Sequence, residues 1–314
     1  MKMARVTPAY EGPPRRFGIR WTPRRQRTFW AYVFVSLPLL GLLLFFVGPI
    51  AFGLWVSLND WNMVTPVTQM RWRGLDNYVY LLTRDPIFPR AMANTFAFAA
   101  GGVTVNVVLG LSLALLLNQS IRFKPLWRVL YFLPVMTAPL ALAVLFGFLF
   151  NRNYGLVNDF LVSLGIARQP FLSHPDQALL VIIAIAIYQY VGYYIVIYLA
   201  GLQGIPKELY DAASVDGANA WQRLGYITLP LLKPVTLFVV VTNTIGALQV
   251  FDIVFATTGG GPANRTMTVV LYMYDTAFKF SRMGRASAMA FILFLIILII
   301  TLVQLRLLRD RTRG

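Results

Sequence analysis

The stretch IPKELYDAASVDGANAWQRLGYITLP, residues 205–230, is a polar connector between two long apolar blocks. Pro206 suits the first turn of a helix, because its missing N–H would have no intrahelical partner there. Glu208 and Asp211 suit the same helix, because acidic side chains favour the positively polarised N-terminal end. The connector therefore begins with a predicted short helix that lies outside the apolar blocks.

A second short helix is predicted after a break in the same connector. Asp216 can cap this helix, which would begin near Gly217. Ala218, Trp221 and Leu224 recur at helical spacing, so one face of the helix is apolar. An apolar face outside the membrane needs either a protein partner or the lipid surface, and the amphipathic pattern alone leaves both open.

The composition around this connector is that of a membrane protein. Hydrophobic residues make up 58% of the 314 residues, charged residues make up 13%, and the mean hydropathy is +0.64. Soluble domains carry about a quarter charged residues. Six apolar blocks are long enough to cross a bilayer as helices. They run over Phe29–Leu58, Ala93–Leu117, Leu126–Phe150, Ala178–Leu202, Leu231–Thr257 and Ala286–Leu308. The predicted fold class is an all-α membrane protein with six transmembrane helices.

The distribution of charge predicts the orientation of these helices. Basic residues cluster before the first block and after the last, and the segments on that side of the membrane hold most of the excess positive charge. Both termini are therefore expected in the cytoplasm. Residues 1–28 are too basic and proline-rich for a cleavable signal, so we expect a basic cytoplasmic tail, a transmembrane domain over 29–308 and a second tail over 309–314.

Several classes of function are disfavoured by composition. The net charge of +16 would suit nucleic acid, but the positive-inside rule explains the same clusters, so no nucleic-acid partner is expected. The chain has no cysteine and one histidine, His174, so there is no thiolate metal site, and no metal site is predicted. The spans lack the paired carboxylates, histidine clusters or Ser–His sets that a membrane-embedded enzyme would need. Gating helices and pore loops of a channel are also missing.

The connector also contains a family motif. Asp211-Ala212-Ala213, then Gly217, then Ile227-x-Leu229-Pro230 resembles the EAA loop of binding-protein-dependent ABC importer permeases, with Asp211 in place of the usual glutamate. Within that family the chain resembles the carbohydrate-uptake permeases of maltose type.

A second region supports the same resemblance. Thr258-Gly-Gly-Gly-Pro-Ala-Asn264 and the residues that follow it resemble the outer loop and last helix of sugar permeases. The glycine run lacks the Gly-Lys-Ser/Thr of a phosphate-binding loop, so a turn is expected rather than a nucleotide site. ATP and Mg²⁺ would then bind a partner subunit, and this chain would be a non-catalytic transport subunit without a cofactor of its own.

The resemblance implies a type I importer permease in a bacterial or archaeal inner membrane. Its implied partners are a second homologous permease, two cytoplasmic ATPase subunits, an extracytoplasmic solute-binding protein and a sugar. It also implies that the connector is a coupling helix that docks on the ATPase. The implied coupling residues are Glu208, Asp211, Ala212, Ala213, Asp216, Gly217, Trp221, Arg223 and Pro230. Gly217 would form the sharp turn between the two short helices, and Pro230 would start the fifth span.

A substrate pathway is expected where polar side chains lie within the spans, because polar groups that face lipid have no partner. Amides and aromatic rings suit sugar hydroxyls and ring faces, although interhelical hydrogen bonding would explain the same residues. The predicted pathway residues are Gln189, Gly192, Tyr193, Tyr194, Asn243 and Gln249. Asn94, Asn106 and Thr244 are further polar residues on the spans.

The solute itself is less constrained by the sequence. Asp252 and Asp275 are predicted near the outer surface, which disfavours ion coupling. No Arg or Lys lies in the interior of a span, which favours a neutral solute over a phosphorylated one. A permease of the same superfamily for glycerol phosphodiesters, peptides or amino acids is the alternative.

Overall fold

The computed structural model describes residues 23–119 and 122–309, and over these ranges the chain is predominantly helical. The first helix, α1, runs over Pro23–Ser57 and includes a π-helical turn at Leu43–Val47. The chain divides into one unit that ends at Phe52 and a second that starts at Gly53. The expected tails fall largely on residues 1–22 and 310–314, which lie outside the described residues.

The second unit begins with a two-stranded antiparallel hairpin of β1 (Asn59–Asp60) and β2 (Arg71–Trp72). The helices that follow are α2 (Asp76–Thr83), α3 (Phe88–Asn118), α4 (Lys124–Met136), α5 (Pro139–Leu149), α6 (Leu156–Ser163), α7 (Ala178–Gln203), α8 (Lys207–Val215), α9 (Ala220–Leu231), α10 (Lys233–Leu248), α11 (Asp252–Thr257), α12 (Val269–Tyr274) and α13 (Met283–Arg309). Short 3-10 turns lie at Val67–Gln69 and Phe171–Ser173, and a π turn follows α12 at Asp275–Lys279.

Within residues 23–119 and 122–309, four single helices are long and apolar enough to cross a membrane: α1, α3, α7 and α13. They match the first, second, fourth and sixth predicted spans to within two turns. Two further candidates are bent pairs, α4 with α5 at 98° and α9 with α10 at 64°, which bring the number to six if each pair is one span.

The third predicted span was expected as one continuous helix, and that expectation is wrong. The helix ends at Met136 and restarts at Pro139. Proline restricts the residue before it to extended backbone, and Ala138 has ψ 131°. The fifth predicted span was also too long, because α10 ends at Leu248 and α11 starts only at Asp252.

The core of the second unit is built on α3 and α7, which pack along each other. The face of α3 that is buried consists mainly of small residues at intervals of three and four, which allow close helix packing. These residues are Ala99, Gly102, Asn106, Gly110 and Ala114. Helix α10 packs on α3 and on α13, while α4 packs on α7. Asn106 is thus a polar residue within an otherwise small, apolar helix contact.

Candidate functional site

The connector between α7 and α10 contains two short helices, as predicted, but their boundary differs. Asp216 follows the last residue of α8, and its backbone N–H bonds back to the Ala212 carbonyl at 3.0 Å. The next helix starts at Ala220, where Asn219 and Gln222 form a reciprocal capping box. The expectation that Asp216 caps the second helix is therefore wrong, and Asn219 has that role.

Gly217 forms the turn between the two helices, as expected. Its φ is +78°, a left-handed conformation that L side chains rarely adopt. No atom lies within 4 Å of the position that a Cβ would occupy, so the requirement for glycine is conformational rather than steric.

Pro230 does not start the fifth span. It lies near the end of α9, after a π-helical turn at Leu224–Thr228. A proline inside a helix removes one hydrogen bond and clashes with the carbonyl four residues earlier, and the wider π turn supplies room at that point. Pro234 occupies the first turn of α10, the position that Pro230 was expected to hold.

The connector exposes large hydrophobic side chains. Val215 is 89% exposed, Trp221 is 81% exposed and Tyr226 is 82% exposed. Of these three, only Trp221 was predicted from the sequence. Tyr226 was missed because the π turn shifts the helical register between Trp221 and Tyr226. Val215 ends α8, before that turn, and was also missed. We call Val215, Trp221 and Tyr226 the apolar tip of the connector.

The predicted coupling residues lie around the apolar tip. Most of them are exposed, namely Glu208, Asp211, Ala212, Asp216, Gly217, Trp221 and Pro230, while Ala213 and Arg223 are half-buried. Arg223 donates from Nη1 to the Ser214 hydroxyl at 3.0 Å, and the Tyr210 and Thr228 hydroxyls lie 2.9 Å apart. These bonds join α8 to α9, so the two short helices form one rigid element.

A cavity of about 230 Å³, with a mainly apolar lining that includes several polar side chains, lies between α3, α7, α10 and the break that follows α10. Helix α3 contributes Asn106, α7 contributes Tyr190 and Tyr194, and α10 contributes Asn243. The break and the start of α11 contribute Gln249, Val250, Phe251 and Asp252. Among the described residues, no Lys or Arg lines this cavity.

Two amides at this cavity have unused hydrogen-bonding atoms among the described residues. The Asn106 Oδ1 and the Asn243 Nδ2 are buried and have no hydrogen-bond partner. The Gln189 Oε1, on α7 one residue before Tyr190, is also buried and has no hydrogen-bond partner. A buried polar atom without a partner costs about 1–3 kcal/mol, so such atoms favour a bound ligand or water. Asn106 and Asn243, which line the cavity, thus each hold one amide atom that is covered by protein and has no hydrogen-bond partner.

The predicted pathway residues separate into two groups. Tyr194, Asn243 and Gln249 line the cavity. Gly192 lies elsewhere, against α4, where any Cβ would overlap with the Tyr131 carbonyl. Tyr193 is 43% exposed and makes an edge-to-face contact with Tyr194, with ring centroids 5.4 Å apart.

The structure also places Asp252 and Asp275, which were both predicted near the outer surface. Asp252 lines the cavity rather than lying apart from it, whereas Asp275 is buried outside it and forms an ion pair with Lys279 at 2.7 Å. Tyr190 was missed in the sequence analysis, although its spacing of four from Tyr194 places both on one face of α7.

Membrane-length helices, a cavity with polar side chains among the helices and an exposed connector are together typical of a membrane transport component. Residues 106–313 match the family described as "Binding-protein-dependent transport system inner membrane component", and the chain belongs to this family. The resemblance found in the connector motif is thereby confirmed.

Curated relatives are similar over nearly the whole chain. A lactose transport system permease protein from Rhizobium radiobacter is 34% identical over 90% of this chain and 94% of its own length. A trehalose/maltose transport system permease protein from Thermococcus litoralis is 33% identical over 88% of this chain and 92% of its own length. A multiple sugar-binding transport system permease protein from Streptococcus mutans is 32% identical over 89% of this chain and 95% of its own length.

The fold has a solved counterpart. A chain in the crystal structure of a bacterial ABC transporter that imports the acidic polysaccharide alginate superimposes with a TM-score of 0.80. The alignment covers 92% of this chain and 98% of that chain, at 24% sequence identity. The type of fold is therefore that of an ABC transporter permease.

Proposed function

We propose that this chain is the permease subunit of an ATP-driven importer that moves a sugar or a related neutral, polyhydroxylated solute across a bacterial or archaeal inner membrane. Three of its curated relatives carry names that specify lactose, trehalose/maltose or multiple sugars. In this proposal α4 with α5, and α9 with α10, each make one bent span, which gives six spans with both termini in the cytoplasm. The excess of basic residues at both ends supports that orientation.

The observation that carries the sugar assignment is the pair of unpartnered amides at the cavity. Both amide atoms are covered in this structure, so each side chain would have to rotate toward the solute. A sugar hydroxyl both donates and accepts hydrogen bonds, so it could then bond to the Asn106 Oδ1 or to the Asn243 Nδ2. Tyr190 and Tyr194 add aromatic surface for the apolar face of a sugar ring. The lining contains no cation that would select an anionic solute.

The connector over residues 205–230 would receive the motion of the ATPase. Its apolar tip is exposed to the surroundings of the chain, and the internal hydrogen bonds of α8 and α9 let it move as a rigid body. We infer that the tip docks on one of two cytoplasmic ATPase subunits, which bind ATP and Mg²⁺. A second homologous permease would complete the pathway, and an extracytoplasmic solute-binding protein would deliver the solute.

The domain boundaries form part of the same proposal. Residues 29–308 would make the transmembrane permease domain, and residues 1–28 and 309–314 would be cytoplasmic tails. A cysteine reporter at residue 28 and another at residue 170, each tested with a membrane-impermeant maleimide in intact cells, would check the orientation. Labelling is expected at residue 170 and not at residue 28.

Substitution at the cavity tests the proposal directly. In the assembled transporter we expect Asn243→Leu to lower sugar uptake at least about tenfold, because the change removes the unpartnered donor while keeping the branched shape of the side chain. Thr301→Val is a matched control, because it also removes a buried polar atom without a partner but lies on α13 away from the cavity. Equal losses in the two variants would contradict a role for the cavity in transport.

The solute class is tested through the associated binding protein. A thermal-shift screen against neutral sugars, sugar acids, glycerol phosphodiesters, peptides and amino acids should show stabilisation by neutral sugars. Stabilisation by charged peptides or amino acids alone would refute the sugar assignment. Failure of the chain to co-isolate with an ATPase would refute the importer assignment.

A further inference from the structure

The break between α10 and α11 forms one wall of the cavity described above. Helix α10 ends at Leu248 and α11 begins at Asp252, so residues 249–251 are not helical. Gln249, Val250 and Phe251 all line the cavity. The shape of that wall therefore depends on what holds the backbone of the break in place.

One side chain from a distant part of the sequence bonds to this backbone. The Thr268 hydroxyl donates to the Val250 carbonyl, with an oxygen-to-oxygen distance of 3.2 Å. Thr268 is completely buried and immediately precedes α12. The other backbone hydrogen bonds of the break among the described residues are local. The Gln249 and Val250 N–H groups donate to carbonyls three residues earlier, and the Phe251 carbonyl accepts from the Phe255 N–H at 2.9 Å. Thr268 thus holds the backbone of the break through a side chain that lies outside the two helices it joins.

Residues on both sides of Thr268 are bonded to α3. The Asn94 Nδ2 donates to the carbonyls of Asn264 and Met267, both at 2.9 Å. On the other side, the Val269 N–H donates to the Thr95 hydroxyl at 3.0 Å. Both Thr95 and Thr268 are fully buried, so these bonds are shielded from competing water.

The start of α12 has a further link. The Tyr272 hydroxyl donates to the Asp85 Oδ2 at 2.7 Å, and Asp85 in turn accepts from the N–H groups of Ile87 and Phe88 at the start of α3. The segment that contains Thr268 is therefore fixed to α3 by at least three separate side chains. Since α3 also contributes Asn106 to the cavity, the same helix sets the positions of two opposed parts of the lining.

We propose that Thr268 is a positioning residue for transport, which holds the Val250 carbonyl so that Gln249 and Asp252 face the cavity. This inference rests on the proposed function. Thr268 does not line the cavity, and so it acts through the break rather than on the solute.

The test compares two substitutions in the complete transporter, with this chain, its partner permease, the ATPase and the binding protein in proteoliposomes. Thr268→Val keeps the volume but removes the donor, which leaves the Val250 carbonyl without its bond. We expect maximal uptake to fall at least about fivefold, the lower limit for a buried carbonyl that loses its donor. The concentration of loaded binding protein at half-maximal uptake should change less than about twofold, because the docking surface is not altered.

Thr268→Ser supplies the rescue, because it keeps the hydroxyl and removes only a methyl group. It should transport within about twofold of the natural protein. Thr257→Val is the matched control, because the Thr257 hydroxyl bonds only within α11, to the Ile253 carbonyl at 2.6 Å. A loss of uptake in Thr268→Ser equal to that in Thr268→Val would overturn the proposal, as would natural uptake in Thr268→Val.

A labelling experiment on assembled complexes tests the same proposal without measuring uptake. The chain contains no cysteine, so Gln249→Cys provides a single reporter at the break. In assembled complexes, the rate of maleimide labelling at this reporter should change at least about threefold when Thr268→Val is added, and should be unchanged when Thr257→Val is added. Identical labelling rates in all three backgrounds would overturn the proposal. This result is independent of the solute, so it is distinguishable from a failure of the sugar assignment.

Discussion

Gly217→Ala is the perturbation that best separates a conformational role of the connector from a simple requirement for space. Gly217 has φ +78°, and a Cβ added there would meet no atom within 4 Å. Alanine at this position would therefore be disfavoured by its backbone conformation and not by a clash. The connector would then populate other turn geometries, in which α8 and α9 have a different mutual orientation.

The expected effect of Gly217→Ala is estimated from the free-energy cost of the left-handed backbone conformation for an L residue. An L residue pays about 1–2 kcal/mol there relative to glycine, which corresponds to a shift of about five- to thirtyfold in the equilibrium between turn geometries. Asparagine tolerates the left-handed region better, so Gly217→Asn should lie between alanine and the natural protein. Gly225→Ala is the matched control, because Gly225 has no positive φ and also has nothing within 4 Å of its added Cβ.

The assay is ATP hydrolysis stimulated by the loaded binding protein, measured together with uptake in proteoliposomes. Gly217→Ala is expected to lower both rates about fivefold or more, while Gly225→Ala leaves them unchanged. A fully active Gly217→Ala variant would refute the requirement for the left-handed turn. An equal loss in Gly217→Ala and Gly217→Asn would refute the conformational explanation while leaving glycine necessary for another reason.

Three further substitutions have defined outcomes. Trp221→Ala should weaken co-isolation with the ATPase at least about tenfold, with little change in thermal stability, because its side chain is 81% exposed. Asn219→Ala should destabilise the connector by about 1 kcal/mol through loss of the capping box, seen as faster hydrogen exchange there. Gly192→Ala should lower the melting temperature, because its Cβ would overlap with the Tyr131 carbonyl.

The membrane-length helices were predictable because hydropathy averaged over about 20 residues is insensitive to local backbone geometry. The same averaging does not detect the breaks between α4 and α5 and between α10 and α11. The bend between α4 and α5 has a signal in the sequence, since Pro139 constrains Ala138. The break at residues 249–251 has no proline or glycine, and its contact with Thr268 comes from a distant segment. Such a tertiary contact cannot be found in the local sequence.

The cavity was only partly predictable for a related reason. Polarity within the spans identified Tyr194, Asn243 and Gln249, which do line it. Which face of a helix a residue occupies changes by about 100° with each position, so an uncertainty of one or two residues is enough to misplace a side chain. Gly192 and Tyr193 therefore passed the same sequence criteria and lie on other faces of α7.

The connector and the cavity are joined by a continuous apolar cluster, which gives a physical route between them. Ile205, at the start of the connector, belongs to one buried cluster with Tyr198 and Leu202 of α7 and with Leu232 and Val239. Each of these side chains is buried, and close-packed interiors transmit displacement with little compression.

The contact between α7 and α10 is close at the connector end. A Cβ on Gly201 would lie 2.8 Å from the Val235 Cγ2 and 2.9 Å from the Leu232 Cδ2, so the two helices touch through the glycine backbone. Helix α7 carries Tyr190 and Tyr194 at the cavity, and α10 carries Asn243. A displacement of the connector must therefore move both walls together, unless the bend of 64° between α9 and α10 absorbs it. Because α10 is tied to α7 immediately after that bend, motion from the ATPase would reach the cavity as a shift of two helices past α3.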